Sequence, residues 1–227
     1  MKKNQLFLWV LVCLLAFPLF CSAVDRTGTP FIDFETGLAG SRSPDLRLEN
    51  LTSADLGKTM YLGVGAGWQL SPKIRADFTV TYRGGFQQSI EIGDNIHGTG
   101  NFQSTAAMAN VHYDFSAWKN SIPFVGGGLG YVHNHLDQVS IIDTSGTPLA
   151  NIQGGGWSNL CYQFGGGLAI PIRDEWFIEL GYRYFHGGKY ESDDVIHYAE
   201  GVNQVFQRHV GTLSSNEFVV RLRIHLL

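Results

Sequence analysis

The chain has 227 residues, of which 44% are hydrophobic and only 16% charged, with a formal net charge of -4 and 28 glycines. That balance excludes a nucleic-acid-binding surface, which needs clustered positive charge, and the length fits one domain once a leader is removed. Two of the three cysteines, Cys13 and Cys21, fall in the expected leader, so the mature chain keeps only the Cys161 thiol and has no internal disulfide.

The N-terminus opens with Lys2 and Lys3, runs almost wholly apolar from Leu6 to Phe20 and closes on Cys21-Ser22-Ala23. A basic start, an apolar core and a small-x-small site predict a cleaved signal peptide over 1–23 and an exported domain over 24–227. Phe20 stands where a lipoprotein needs a small residue before Cys21, so an acyl anchor is the lesser reading. The leader is too short for a spanning helix and no later run of eighteen apolar residues exists, so no transmembrane helix is expected.

Beyond the leader the pattern has a period of two, which alternates side chains between the faces of an extended strand. Eight strands are predicted, near residues 30–40, 58–70, 74–84, 103–115, 122–133, 158–170, 175–186 and 216–226. In the third, Ile74, Ala76, Phe78, Val80 and Tyr82 oppose Arg75, Asp77, Thr79, Thr81 and Arg83. The fourth sets Ala107, Ala109, Val111, Tyr113 and Phe115 against Met108, Asn110, His112 and Asp114, and the seventh sets Trp176, Ile178, Leu180, Tyr182 and Tyr184 against Phe177, Glu179, Gly181, Arg183 and Phe185. The eighth alternates Phe218, Val220, Leu222, Ile224 and Leu226 with Glu217, Arg221, Arg223 and His225.

The connections alternate in length. Tight turns are expected at Ser71-Pro72-Lys73, Ser116 to Ser121 and Pro171 to Asp174, and long unstructured loops at Ser41 to Gly57, Gly85 to Phe102, Asn134 to Trp157 and Gly187 to Ser215. Four such loops are foreign to a compact soluble domain. They are the habit of an outer-membrane barrel, with short turns on the periplasmic side and long loops outside. In hydrocarbon an open sheet edge has no water to satisfy its amides, so the sheet must close. The predicted fold is therefore an all-β, eight-stranded antiparallel transmembrane β-barrel.

Eight strands leave an interior that side chains fill. The inferred lumen set includes Asp33, Glu35, Arg75, Asp77, Asp114, Glu179, Arg183, Arg221 and Arg223, with room supplied by Gly63, Gly65, Gly67, Gly165, Gly167 and Gly181. Their signs nearly balance, which predicts a lumen plugged by ion pairs. Arg221, Arg223 and His225 are expected to meet carboxylates of the first strand such as Asp33 and Glu35. Trp68, Tyr82, Tyr113, Phe115, Tyr131, Trp176 and Tyr184 fall near strand ends on the apolar face, where interfacial girdles sit.

Phe31-Ile32-Asp33-Phe34-Glu35-Thr36-Gly37, Tyr61 to Trp68, Pro123 to Tyr131 and Glu179-Leu180-Gly181-Tyr182-Arg183-Tyr184 resemble the opacity-protein and outer-membrane-protein-A type of eight-stranded barrel. The resemblance spans the mature chain and implies wall architecture in a Gram-negative outer membrane, not an activity. Such barrels commonly end in an aromatic residue that assembly machinery reads, whereas Leu226-Leu227 stand here, and no peptidoglycan-binding domain is implied after the barrel.

Candidate chemistry is sparse. His97, His133, His135, His186, His197 and His209 lie in or beside the long loops and could converge on zinc or haem iron, but their spacing matches no compact ligand motif. Some eight-stranded barrels are lipid A deacylases or palmitoyl transferases, and His209, Ser214, Ser215 and Glu217 are the set nearest to such a site. Gly126-Gly127-Gly128, Gly154-Gly155-Gly156 and Gly165-Gly166-Gly167 lack the lysine of a phosphate loop. No catalytic, cofactor or metal residue is assigned and no enzyme is expected. The expected role is a surface antigen, an adhesin-like protein or a structural envelope protein acting through its loops. Its partners are outer-membrane lipid and lipopolysaccharide, with a host or environmental surface ligand at the loops, and the chain is expected to be a monomer. The alternatives are a lipid A-modifying enzyme, a small low-conductance pore, and a soluble lipid-binding calyx with its apolar face turned inward.

Overall fold

The alternation dictates strands, and eight of them build the wall in the computed structural model, which describes residues 26–41, 51–55, 57–92, 96–137, 139–143, 148–152, 154–191, 195–198, 203–205 and 210–226. The wall strands are β1 (Pro30–Ser41), β2 (Lys58–Gln69), β3 (Ile74–Ile92), β4 (Ile96–Asp114), β5 (Ile122–Leu136), β6 (Gly155–Pro171), β7 (Trp176–Glu191) and β8 (Val210–His225). Each pairs antiparallel with the next, and β8 returns to β1 from Phe31 opposite His225 to Ser41 opposite Ser215. The sheet is a closed ring, so the wall has no edge. The predicted leader over 1–23, together with His209 and Leu227, lies outside the described residues.

Side chains alternate as the sequence pattern requires. Asp33, Arg75, Asp77, Arg83, Glu179, Glu217, Arg221 and Arg223 are buried, while Phe34, Leu62, Val64, Phe78, Val111, Leu129, Phe164 and Phe218 face outward and exposed. A soluble calyx has the opposite polarity, so that reading is overturned. Aromatic residues bound the apolar belt in two tiers: Trp68, Tyr113, Phe115 and Trp176 at the end with the tight turns, Tyr82, Tyr131, Tyr162 and Tyr182 at the other, all exposed. On β7 the run from Trp176 to Tyr184 covers roughly 26 Å of strand, which at a tilt of about 35–45° rises roughly 19–22 Å, most of the apolar band of such membranes, about 25 Å tall.

The turn end is tight, as predicted. Leu70 and Ser71 donate backbone bonds to Ile74, and Trp118 and Ser121 exchange a pair. At the other end the expectation of four unstructured loops is corrected. β3 and β4 stay paired out to Ile92 opposite Ile96, and Leu51–Asp55 adds to the outer part of β3. Val139–Asp143 adds to β4 and continues the sheet through Pro148–Ile152, Val195–Tyr198 and Asn203–Val205. The described parts of the long connections are thus largely a β crown above the belt. Gly, Asn, Thr and Gln dilute the alternation there, but strands already paired below supply a template whose open amides recruit further partners.

Two bulges mark where the wall leaves the belt. The register slips between Arg83 and Phe86 on β3 and between His186 and Lys189 on β7. Gly85 and Gly188 take φ of 82° and 71° there, a left-handed backbone that glycine adopts at no steric cost.

Candidate functional site

The polar lumen is the first place to seek chemistry, because burying charge is costly unless it is paired. Alternation on five strands aims the ionic side chains inward. Glu217, wholly buried on β8, accepts from Arg83 Nε at 2.7 Å and Arg183 Nε at 2.8 Å, and Ser215 donates to it at 2.8 Å. Arg183 also reaches Glu35 at 3.0 Å, and Glu35 binds Arg221 Nη2 at 2.7 Å. Arg221 lies 3.8 Å from Glu179, which takes Arg75 at 2.8 Å and Arg223 at 3.1 Å. Arg75 in turn meets Asp114 at 3.1 Å. The result is one continuous ladder of alternating sign from Arg83 to Asp114.

Neighbours complete it. His112 Nε2 lies 2.8 Å from Asp77, and Asn110 bridges Asp77 and Gln163, each at 2.7 Å. Arg83 stacks on Phe185 at 3.8 Å and Arg223 on Phe177 at 4.7 Å, so the guanidinium faces are covered as well as their edges. The glycines make the room. A Cβ at Gly63 would stand 2.7 Å from Glu35 Cγ, and one at Gly65 would stand 2.7 Å from an Asp33 oxygen.

Above this layer the lumen changes character. Tyr61, Phe86, Phe102, Met108, Val132, Leu136, Phe185 and Leu213 form a buried apolar cluster in the outer half, with Phe86 and Phe102 edge to face at 6.1 Å. The plug therefore has two storeys, ionic below and apolar above, where an ionic plug alone was expected. A small pocket of about 40 Å³ lies beside Asn110, His112, Gln163 and Arg221. A vestibule of about 440 Å³ opens at the turn end beside Arg26, Lys73, Lys119 and Arg223.

All nine predicted lumen charges are inside. Their pairing differs from expectation in two respects. Arg223 pairs with Glu179 and not with Asp33, which it opposes in the ladder. His225 binds no carboxylate: its ring packs against Phe31 and Phe177 at 5.5 and 5.6 Å and contacts the Thr29 hydroxyl at 3.1 Å. Near the membrane edge the lumen is lined by aromatic rings, which leaves the imidazole a ring-stacking niche in place of an ion pair. Glu217, Arg83, Asn110, His112 and Gln163 extend the inferred lumen set, each with the inward parity of its strand.

The set resembling a lipid A-modifying site is not assembled. Ser215 and Glu217 point into the lumen, while Ser214 sits on the other face beside His186 Nδ1 at 3.1 Å. Among the described residues, Ser214 outside the wall and Glu217 held inside it by two arginines do not form one relay, and Ser215 inside donates to Glu217 with no imidazole beside it. His186 itself is stacked on Tyr162 at 4.8 Å. Among the described residues no three His, Cys, Asp or Glu side chains gather closely enough to enclose a metal ion.

No family model matches the chain. It is 25% identical over 154 residues to outer membrane protein PagN of Salmonella typhimurium, covering 65% of this chain and 63% of that protein, so the match spans under two thirds of the relative's length. Its structure superposes on Neisserial surface protein A with a TM-score of 0.54 at 16% identity, covering 87% of this chain and 97% of that one. It also superposes on the outer membrane protein OprG of Pseudomonas aeruginosa with a TM-score of 0.53 at 10% identity, covering 91% and all of that chain. The chain shares the closed eight-stranded β-barrel fold of these outer-membrane proteins, the architecture that its sequence resembles.

Proposed function

We propose that this barrel is a surface-display protein: a sealed, non-catalytic scaffold, exported by removal of residues 1–23, monomeric in outer-membrane lipid, whose outer crown meets a host or environmental surface. The observation that carries this reading is the continuation of β3, β4 and β7 past the belt as a paired sheet that recruits five further short strands. Wall function alone needs strands only as long as the hydrocarbon is thick. The plugged lumen argues against transport, and recognition commonly resides in segments held on a rigid support.

Cells displaying the intact protein are expected to adhere to a responsive host or abiotic surface. Replacing the connections 42–57, 87–101, 137–154 and 190–211 together by short turns abolishes that adhesion while leaving the heat-dependent shift in gel mobility that closed barrels show. Unchanged adhesion after all four replacements rejects the reading.

A further inference from the structure

A feature of β5 outside the display reading has its own chemistry. At its outer end inward Asn134 and Leu136 alternate with outward His133, His135 and Asp137, a His-x-His-x-Asp run on one face just beyond the girdle residue Tyr131. In the ladder with β6, His133 stands opposite Ser158 and His135 opposite Gly156. His133 Nδ1 is engaged by the Ser158 hydroxyl at 2.9 Å, and His135 Nε2 by Asp137 Oδ1 at 3.4 Å. Each imidazole therefore has one nitrogen held by a partner and the other free to accept.

Both free nitrogens face the same place. The Cβ that Gly156 lacks would stand 3.2 Å from His133 Nε2 and 3.7 Å from His135 Nδ1. The absent side chain leaves an open pocket between two imidazoles, each with an oxygen beside its other nitrogen. A hydroxyl or carboxylate on the distal nitrogen is the arrangement that orients and strengthens metal-ligating histidines. Imidazole suits borderline divalent ions such as Zn²⁺, Ni²⁺ and Cu²⁺, with metal–nitrogen bonds of about 2.0–2.1 Å.

We propose that His133 and His135 bind one divalent transition-metal ion over Gly156 on the outer face of the barrel, with Ser158 and Asp137 as positioning residues and water in the remaining coordination positions. Two protein nitrogens make this an open site, consistent with the lack of a three-residue cluster among the described residues. Binding weakens on acidification, because protons compete for the same nitrogens.

The test uses the whole mature chain, folded in detergent and purified without a polyhistidine tag, titrated with Zn²⁺ by calorimetry and with Cu²⁺ followed by electron paramagnetic resonance. One saturable ion per chain is expected, with nitrogen couplings from two imidazoles. H133Q and H135Q each weaken affinity by about tenfold or more, and D137N by about tenfold. G156V has the same effect with both imidazoles intact, because its side chain occupies the site. The triple variant H97Q/H197Q/H209Q binds as the parent does. No binding by the parent overturns the proposal. So does binding that survives both H133Q and H135Q, or that disappears in the triple variant. Gel mobility before and after heating verifies that every variant is folded.

Discussion

Glu217→Gln is the sharpest test of the ionic storey. The side chain is isosteric, so no cavity forms and only charge and hydrogen-bonding sense change. Glu217 receives three N–H bonds, from Arg83 Nε and Nη2 at 2.7 and 3.2 Å and from Arg183 Nε at 2.8 Å, and Arg183 Nη2 lies 2.7 Å from it. A glutamine offers one oxygen and turns an NH₂ toward donors, so at least one guanidinium edge faces another donor across a dry contact. Arg183 keeps Glu35 at 3.0 Å, whereas Arg83, fully buried, loses its carboxylate. Removing one partner of a buried pair costs about 3–5 kcal/mol, and with Arg183 still paired the lower end, about 3 kcal/mol, applies. Arg83→Met in the same chain removes the orphaned charge and retains apolar contact with Phe185, so the double variant recovers to within about 1–2 kcal/mol of the parent. Reversible urea unfolding in phospholipid vesicles, followed by fluorescence of the interfacial tryptophans, measures both. A loss below about 1 kcal/mol for the single variant, or a double variant as unstable as the single, refutes the claim that Glu217 neutralises a charge otherwise stranded in the lumen.

Two further outcomes test the belt and the seal. Leu180→Arg, midway between Trp176 and Tyr184 on the lipid face, is expected to destabilise the barrel by about 2–4 kcal/mol in the same unfolding assay, and a change within about 0.5 kcal/mol would mean that this face does not meet hydrocarbon. In planar bilayers the parent is expected to show no steady openings, since the ionic ladder and the Phe86, Phe102 and Phe185 cluster both block the axis. Sustained conductance steps would overturn the sealed lumen and revive the small-pore alternative.

Most of the wall is legible in the sequence because a barrel strand needs only a period of two to be recognised. All eight strands lie where that period places them, and the inward parity that identifies Asp33, Glu35 and Arg221 extends to Glu217, Arg83 and Asn110. Pairing partners are another matter. Asp33 opposes Arg223 in the ladder, yet Arg223 lies 3.1 Å from Glu179 on the other side, and Arg221 is the cation nearest Asp33, at 3.7 Å. Likewise Glu217 on β8 meets Arg83 on β3 across the lumen. Such contacts depend on strand tilt and stagger, which parity does not encode, and on guanidinium arms long enough to cross a narrow interior.

The apolar storey is hidden for a related reason: Tyr61, Phe102 and Phe185 share the parity of the charged residues, so parity alone does not separate an apolar layer from the ionic one, and Phe86 has the opposite parity and is turned inward only by the β3 bulge. Their position gives the two storeys different tasks. The ionic ladder spans the part of the wall inside the belt, where unpaired groups would face hydrocarbon on one side and a dry lumen on the other. The apolar cluster sits beneath the crown and, in the manner of a soluble protein core, excludes water from the base of segments that themselves stand in water. Phe86 follows the β3 bulge, and Phe185 precedes the β7 bulge. These strands are four apart in a ring of eight, so the bulges lie on opposite sides of the barrel, each with a left-handed glycine fixing the bend and an inward phenylalanine anchoring it. The crown is thereby aimed by the fold itself from two opposed, packed pivots, as the proposed display role requires.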